Sequence, residues 1–106
     1  PTQDVGYVNR GQKVNIRLAS SDSQRFDKLL GTVERISPDA LVTEDGFPYY
    51  KVRITSEKNY FEDGDERYNL FPGMSVMANI QTGQRTVLAY LLQPFWKSID
   101  VALSER

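Results

Sequence analysis

Carboxylates are the one side-chain type clustered densely enough here to suggest acid–base chemistry or cation binding. Asp39, Glu44 and Asp45 gather around one turn, and Glu57, Glu62, Asp63, Asp65 and Glu66 crowd another. Paired carboxylates act as acid and base when apolar surroundings raise one of the two pKa values. The sequence around these groups offers no such pocket. The run Glu62-Asp63-Gly64-Asp65-Glu66 also suggests calcium, but it lacks the alternating oxygen ligands and closing Glu of an EF-hand loop. It reads as a solvated acidic hairpin tip. Histidine and cysteine are absent. Their absence excludes a Ser-His or Cys-His nucleophile, a histidine or thiolate zinc site, and a disulfide framework. Gly6 and Gly11 stand without the rest of a phosphate-loop or dinucleotide pattern. The expectation is a chain with no catalytic residue, no cofactor and no metal, and hence not an enzyme.

Aromatic residues offer binding chemistry instead. Tyr49, Tyr50, Tyr60, Phe61 and Tyr68 resemble a stacking platform for single strands, but acidic residues flank them where such a platform has a basic groove. Core packing and loop anchoring are the favoured uses. A net charge of −1 argues against broad attraction to nucleic acid or anionic lipid. The second group, Tyr90, Leu91, Leu92, Phe95 and Trp96, holds the only tryptophan. Part of it must dock on the core, and any remainder is an exposed patch suited to a partner. Docking alone and docking with partner contact both stay open, with Tyr90, Leu91, Phe95 and Trp96 as the candidate contacts.

The elements that must position these groups are mostly strands. With 106 residues, 40% apolar and 25% charged, the chain makes one soluble domain. No apolar run approaches the roughly 20 residues that cross a bilayer. Val14, Ile16 and Leu18 alternate with Lys13, Asn15 and Arg17, which predicts a half-buried strand. Leu29 to Ile36 predicts another, with Gly31 marking a bulge or a close backbone approach. Ala40 to Thr43 suggests a brief strand, and Tyr50, Val52 and Ile54 give the clearest one. Met74, Val76, Ala78 and Ile80 form an inward face. Glu57 to Asn69 reads as the least ordered stretch.

Asp4 to Val8 suggests a short helical turn ended by Gly11. After Gly83 the spacing of Val87, Leu88, Leu91 and Leu92, and then of Ile99, Ala102 and Leu103, predicts an amphipathic helix kinked near Pro94. The expected architecture is a mostly β, small antiparallel barrel over residues 1–85. A C-terminal helical tail over 86–106 would pack on or beside it.

Four segments together resemble one family. They are Asp4 to Val14 with its Gly11-Gln12, the run Gly31-Thr32-Val33-Glu34-Arg35-Ile36-Ser37-Pro38-Asp39-Ala40, the strand Tyr49 to Ile54, and Pro72-Gly73-Met74 followed by Thr82-Gly83-Gln84-Arg85-Thr86-Val87-Leu88-Ala89-Tyr90-Leu91-Leu92-Gln93-Pro94. In this order they resemble the periplasmic adaptors (membrane fusion proteins) of type I secretion, the hemolysin-secretion HlyD family. Gly11, Gly31, Pro72, Gly73, Met74 and Gly83 are the structural residues of that signature.

The resemblance implies a non-enzymatic adaptor subunit on the periplasmic side of the bacterial inner membrane. It would link an inner-membrane ABC exporter to an outer-membrane channel for protein or peptide export. It also implies self-association into a ring, contact with the channel through domains not present here, and anchoring by a membrane helix not present here. The opening Pro1-Thr2-Gln3-Asp4 reads as mid-domain sequence, which fits a segment of a longer protein. The other reading, on a different footing, is a stand-alone small-barrel binding module for carbohydrate or single-stranded nucleic acid.

Overall fold

The structure is a computed structural model and describes residues 8–19, 25–37, 41–42, 48–81 and 86–104. Nine strands follow one another in these residues: β1 Lys13–Leu18, β2 Leu29–Ile36, β3 Leu41–Val42, β4 Pro48–Ser56, β5 Tyr60–Asp63, β6 Glu66–Asn69, β7 Ser75–Ile80, β8 Thr86–Phe95 and β9 Ser98–Ser104. Six of them close an antiparallel barrel in the order β1-β2-β4-β9-β8-β7, with β7 returning to β1. Short β3 pairs beside the first residues of β4. Closure leaves none of the six barrel strands as an open edge along its full length, which is how a small sheet avoids edge-to-edge association.

The period-two alternation dictates the inside. Val14, Ile16 and Leu18 of β1 lie against Ile80, Ala78 and Val76 of β7 in successive rows. Val52 and Ile54 of β4 face Val101 and Ile99 of β9 in the same way. These side chains are fully or nearly fully buried, and each Val, Ile or Leu among them is worth about 1.5–3 kcal/mol when removed from water. Ala78 and Ala89 leave room for the larger neighbours, as a narrow barrel requires.

Gly31 is a close approach. A Cβ there would lie 2.5 Å from Ile54 Cγ2 and 2.9 Å from the Thr55 carbonyl oxygen, so β2 and β4 meet only because that atom is missing. The register shift in β2 falls instead between Val33 and Arg35.

Two expectations fail. The predicted C-terminal helix, kinked near Pro94, is the β8–β9 hairpin, so residues 86–104 are barrel wall rather than a tail. The helical spacing arose from two features of one strand. Leu88, Tyr90 and Phe95 are apolar on the outer face, which hides the alternation, and a register shift between Leu91 and Gln93 offsets it. Pro94 is tolerated because β8 beyond Leu91 pairs with β9 alone, leaving an edge where a missing N–H breaks no bond to β7. Without this hairpin, β4 and β7 would both be open edges.

The stretch from Glu57 to Asn69, expected to be the least ordered, holds the β5–β6 hairpin, with Gly64 and Asp65 at the turn where the acidic hairpin tip was expected. It caps one end of the barrel with Phe61, which is buried beside Phe26 and Leu70 in the core. The N-terminal helical turn expected over Asp4 to Val8 falls, except for buried Val8, outside the described residues.

Candidate interaction surface

The signature glycines and proline build turns rather than a binding site. Phe71-Pro72-Gly73-Met74 closes with the Met74 N–H donating to the Phe71 carbonyl at 3.3 Å, and Gly73 has φ +85°. Proline at the second position and a left-handed glycine at the third are what a type II turn demands. The turn then extends the β7–β8 ladder: Gly73 N–H donates to Leu91 O at 2.6 Å, and Leu91 N–H donates to Met74 O at 2.9 Å. Gly11 and Gln12 lock the entry to β1 onto β2, with Gly11 N–H donating to Val33 O at 2.8 Å and Val33 N–H donating to Gln12 O at 2.8 Å. Gly83 lies outside the described residues.

The four candidate contact residues separate. Leu91 is fully buried in the barrel, so it is a core residue and not a partner contact. Tyr90 and Phe95 are close to half exposed, and Trp96 is 79% exposed. Leu88 joins them on the outer wall. Trp96 and Lys97 form the tip between Phe95 and Ser98, which pair with each other. Lys97 holds φ +61°, the left-handed region that costs a side-chain-bearing residue about 1–2 kcal/mol. Its carbonyl accepts the Ser56 N–H at 2.9 Å, which ties the tip to β4. The indole is thus displayed on a constrained turn.

Beside this apolar strip lies an ion pair that the helical reading concealed. Arg53 of β4 and Asp100 of β9 are register partners on the outer face. Arg53 Nε donates to Asp100 Oδ1 at 2.8 Å and Nη2 donates to Oδ2 at 3.1 Å. The Asp100 side chain is 1% exposed, and that of Arg53 is 36% exposed. Hydrogen bonding to Asp100, then its charge, raises the Arg53 pKa, and Glu34 adds to the effect. The same guanidinium lies 5.6 Å from the centre of the Phe95 ring, a cation–π distance. Asp100 therefore orients Arg53, and Arg53 supports Phe95.

Arg35, Lys51 and Arg53 line a shallow cleft of about 230 Å³ with Ser37 and Asp100. The cations at 51 and 53 were legible in the alternation of β4. Asp100 was not, because its strand was read as helix.

At the capped end, Arg25 grips both strands of the acidic hairpin, pairing with Asp63 at 2.9 Å and with Glu66. Its pKa is raised, chiefly by the hydrogen bond to Asp63. Lys58 pairs with Glu62. Among the described residues no group of three or more acidic residues is arranged to hold a metal ion, and no helix is long and apolar enough to cross a membrane.

The closed barrel thus displays an aromatic strip with cations beside it, and among the described residues Glu62, Asp63, Glu66 and Asp100 are held in ion pairs. Residues 1–83 match the model of the AprE-like β-barrel domain, and the chain belongs to that family. It is 34% identical to the leukotoxin secretion protein D of Mannheimia haemolytica over 100% of its own length, and 35% identical to the plasmid hemolysin secretion protein D of Escherichia coli over 98%. It is 36% identical to the RTX-III toxin determinant D of Actinobacillus pleuropneumoniae, again over 98%. The chain spans 22% of the length of each of these relatives. The family resemblance carried by the four sequence segments and these similarities agree. No solved structure matches the chain significantly.

Proposed function

We propose that this chain is the β-barrel segment of a non-enzymatic periplasmic adaptor in a type I secretion system. The adaptor joins an ATP-driven exporter of the inner membrane to an outer-membrane channel and associates with copies of itself. The observation that carries the reading is similarity along essentially the whole chain to proteins named for hemolysin and leukotoxin secretion. The relatives' greater length supports anchoring and channel contact through segments outside these residues. The domain does no bond chemistry in this role. It contributes binding energy and fixed geometry, with Tyr90, Phe95 and Trp96 as the hydrophobic anchor and Arg53 beside them. Aromatic and arginine side chains dominate interface energies when they become fully desolvated.

Photo-crosslinking in intact cells tests this. A photoreactive residue at Trp96 of the full-length protein should yield adducts to an inner-membrane ATP-driven exporter or to a second copy. Adducts to neither, from an expressed and reactive probe, would overturn the adaptor role.

A further inference from the structure

The barrel carries opposite charge at two separate places, and among the described residues each keeps charged groups that form no ion pair. The cleft on the outer wall of β2, β4 and β9 presents Arg35, Lys51 and Arg53, and its one carboxylate, Asp100, is committed to Arg53. Arg35 and Lys51 form no ion pair among the described residues. Arg10 lines the adjoining surface with Glu34 and Arg35. Residues 57 to 69, by contrast, hold five carboxylates and two cations, and Arg25 from outside the stretch pairs with two of the five, which leaves the hairpin acidic. Asp65 sits at the turn of that hairpin, exposed, and also makes no ion pair among the described residues.

The hairpin is also held in shape. Asp63 and Glu66 are register partners flanking the Gly64-Asp65 turn, and Arg25 clamps both. A fixed turn loses little entropy when it docks. The cleft is smaller than the roughly 300–1,000 Å³ of small-molecule sites, and suits a side chain from a protein surface. All of its lining residues but Ser37 are strand residues, so its shape is largely fixed as well.

We infer that the Asp65 turn of one copy docks into the Arg35–Lys51–Arg53 cleft of a second copy of this chain. The two patches are different surfaces of one molecule, so the contact is head-to-tail, the kind that closes into a ring when the rotation permits. Charge complementarity of this sort fixes register and partner more than it adds raw affinity. The inference rests on the self-association in the proposed function and names the surfaces that would form it.

These residues contain no cysteine, so engineered thiols report the contact directly. One copy of the full-length protein would carry Lys51→Cys and a co-expressed, differently tagged copy Asp65→Cys. Any cysteine outside this segment would be replaced. Mild oxidation in cells should produce a reducible adduct between the two tags, and a control pairing Lys13→Cys with Asp65→Cys should not. Adding Arg35→Glu should lower the adduct yield about fivefold, as expected for reversing one exposed charge contact. An unchanged yield would overturn the electrostatic basis. Absence of the adduct while a general amine cross-linker still joins the two tags would overturn this contact and leave self-association standing. Absence of product with both reagents would overturn the contact and self-association together.

Discussion

Arg53 and Asp100 form a two-point fork across the β4–β9 pair, in which the acid is buried and the base is one-third exposed. The asymmetry has a consequence for mutation. Arg53→Ala leaves a carboxylate without its partner and without water, whereas Asp100→Ala leaves a guanidinium that can turn toward solvent. Arg53→Ala should therefore lower Tm by roughly 10 °C or more. Asp100→Ala should cost distinctly less, and the double variant should recover part of the loss. Thermal unfolding of the three variants decides it, and equal losses for both single variants would show that burial of Asp100 is not the controlling factor.

Gly31→Ala tests the close approach of β2 to β4. The added methyl meets both the Ile54 side chain and the Thr55 backbone oxygen, and the latter cannot move without opening the ladder. A loss of about 2 kcal/mol is expected, the range for overpacking a closed core. Urea unfolding measures it, and a neutral result would mean that the strands separate at little cost.

Lys97→Gly should stabilise the fold. The residue holds a left-handed backbone at the β8–β9 tip, and glycine adopts that conformation without strain. The added flexibility of the unfolded chain offsets part of the gain, so the net is about 0.5–1 kcal/mol. A rise in the urea midpoint at constant m-value is the expected readout.

Trp96 and Leu91 should divide stability from function. Leu91→Ala opens a cavity in a fully buried site and should cost about 2–5 kcal/mol. Trp96→Ala removes a side chain that touches mainly water, so stability should stay within about 0.5 kcal/mol. Secretion supported by the full-length protein should nevertheless fall with Trp96→Ala at normal protein levels. Unimpaired secretion would remove Trp96 from the anchor.

The pH dependence should be plain near neutrality. With no histidine, no side chain of ordinary pKa titrates between about pH 6 and 9. At the alkaline side, hydrogen bonding to Glu62 raises the Lys58 pKa in the folded state. A raised basic pKa adds stability that is complete below the ordinary lysine value and is lost as pH climbs through the folded value. Lys58→Met should flatten a small alkaline decline above about pH 10 in urea midpoints, and leave the neutral plateau unchanged.

Much of the barrel was legible because its inner face obeys a strict alternation. Val14-Ile16-Leu18, Val52-Ile54 and Val76-Ala78-Ile80 announce their strands by period alone, and Pro72-Gly73 announces its turn by backbone chemistry. The candidate surface was only half legible. Trp96 stood out by residue type, whereas Leu91 was wrongly grouped with it and Asp100 went unnoticed inside a supposed helix. The β5–β6 hairpin was legible at its acidic tip around Gly64 but not in its strands: only Phe61 of the two strands is buried in the core, so no alternation of apolar residues marks them.

What the amino-acid order determined by itself is therefore a small β-rich domain without histidine or cysteine chemistry, carrying the motifs of a secretion adaptor. Local pattern suffices for that, because a strand with one dry face must alternate. Only the tertiary structure decided that residues 86–104 are two staves of the barrel, since the open edges of β4 and β7 must be paired and a helix supplies no backbone partners for them. The same closure decides which charges meet. Arg53 and Asp100 are 47 residues apart in sequence, and it is the β4–β9 register that makes them one site.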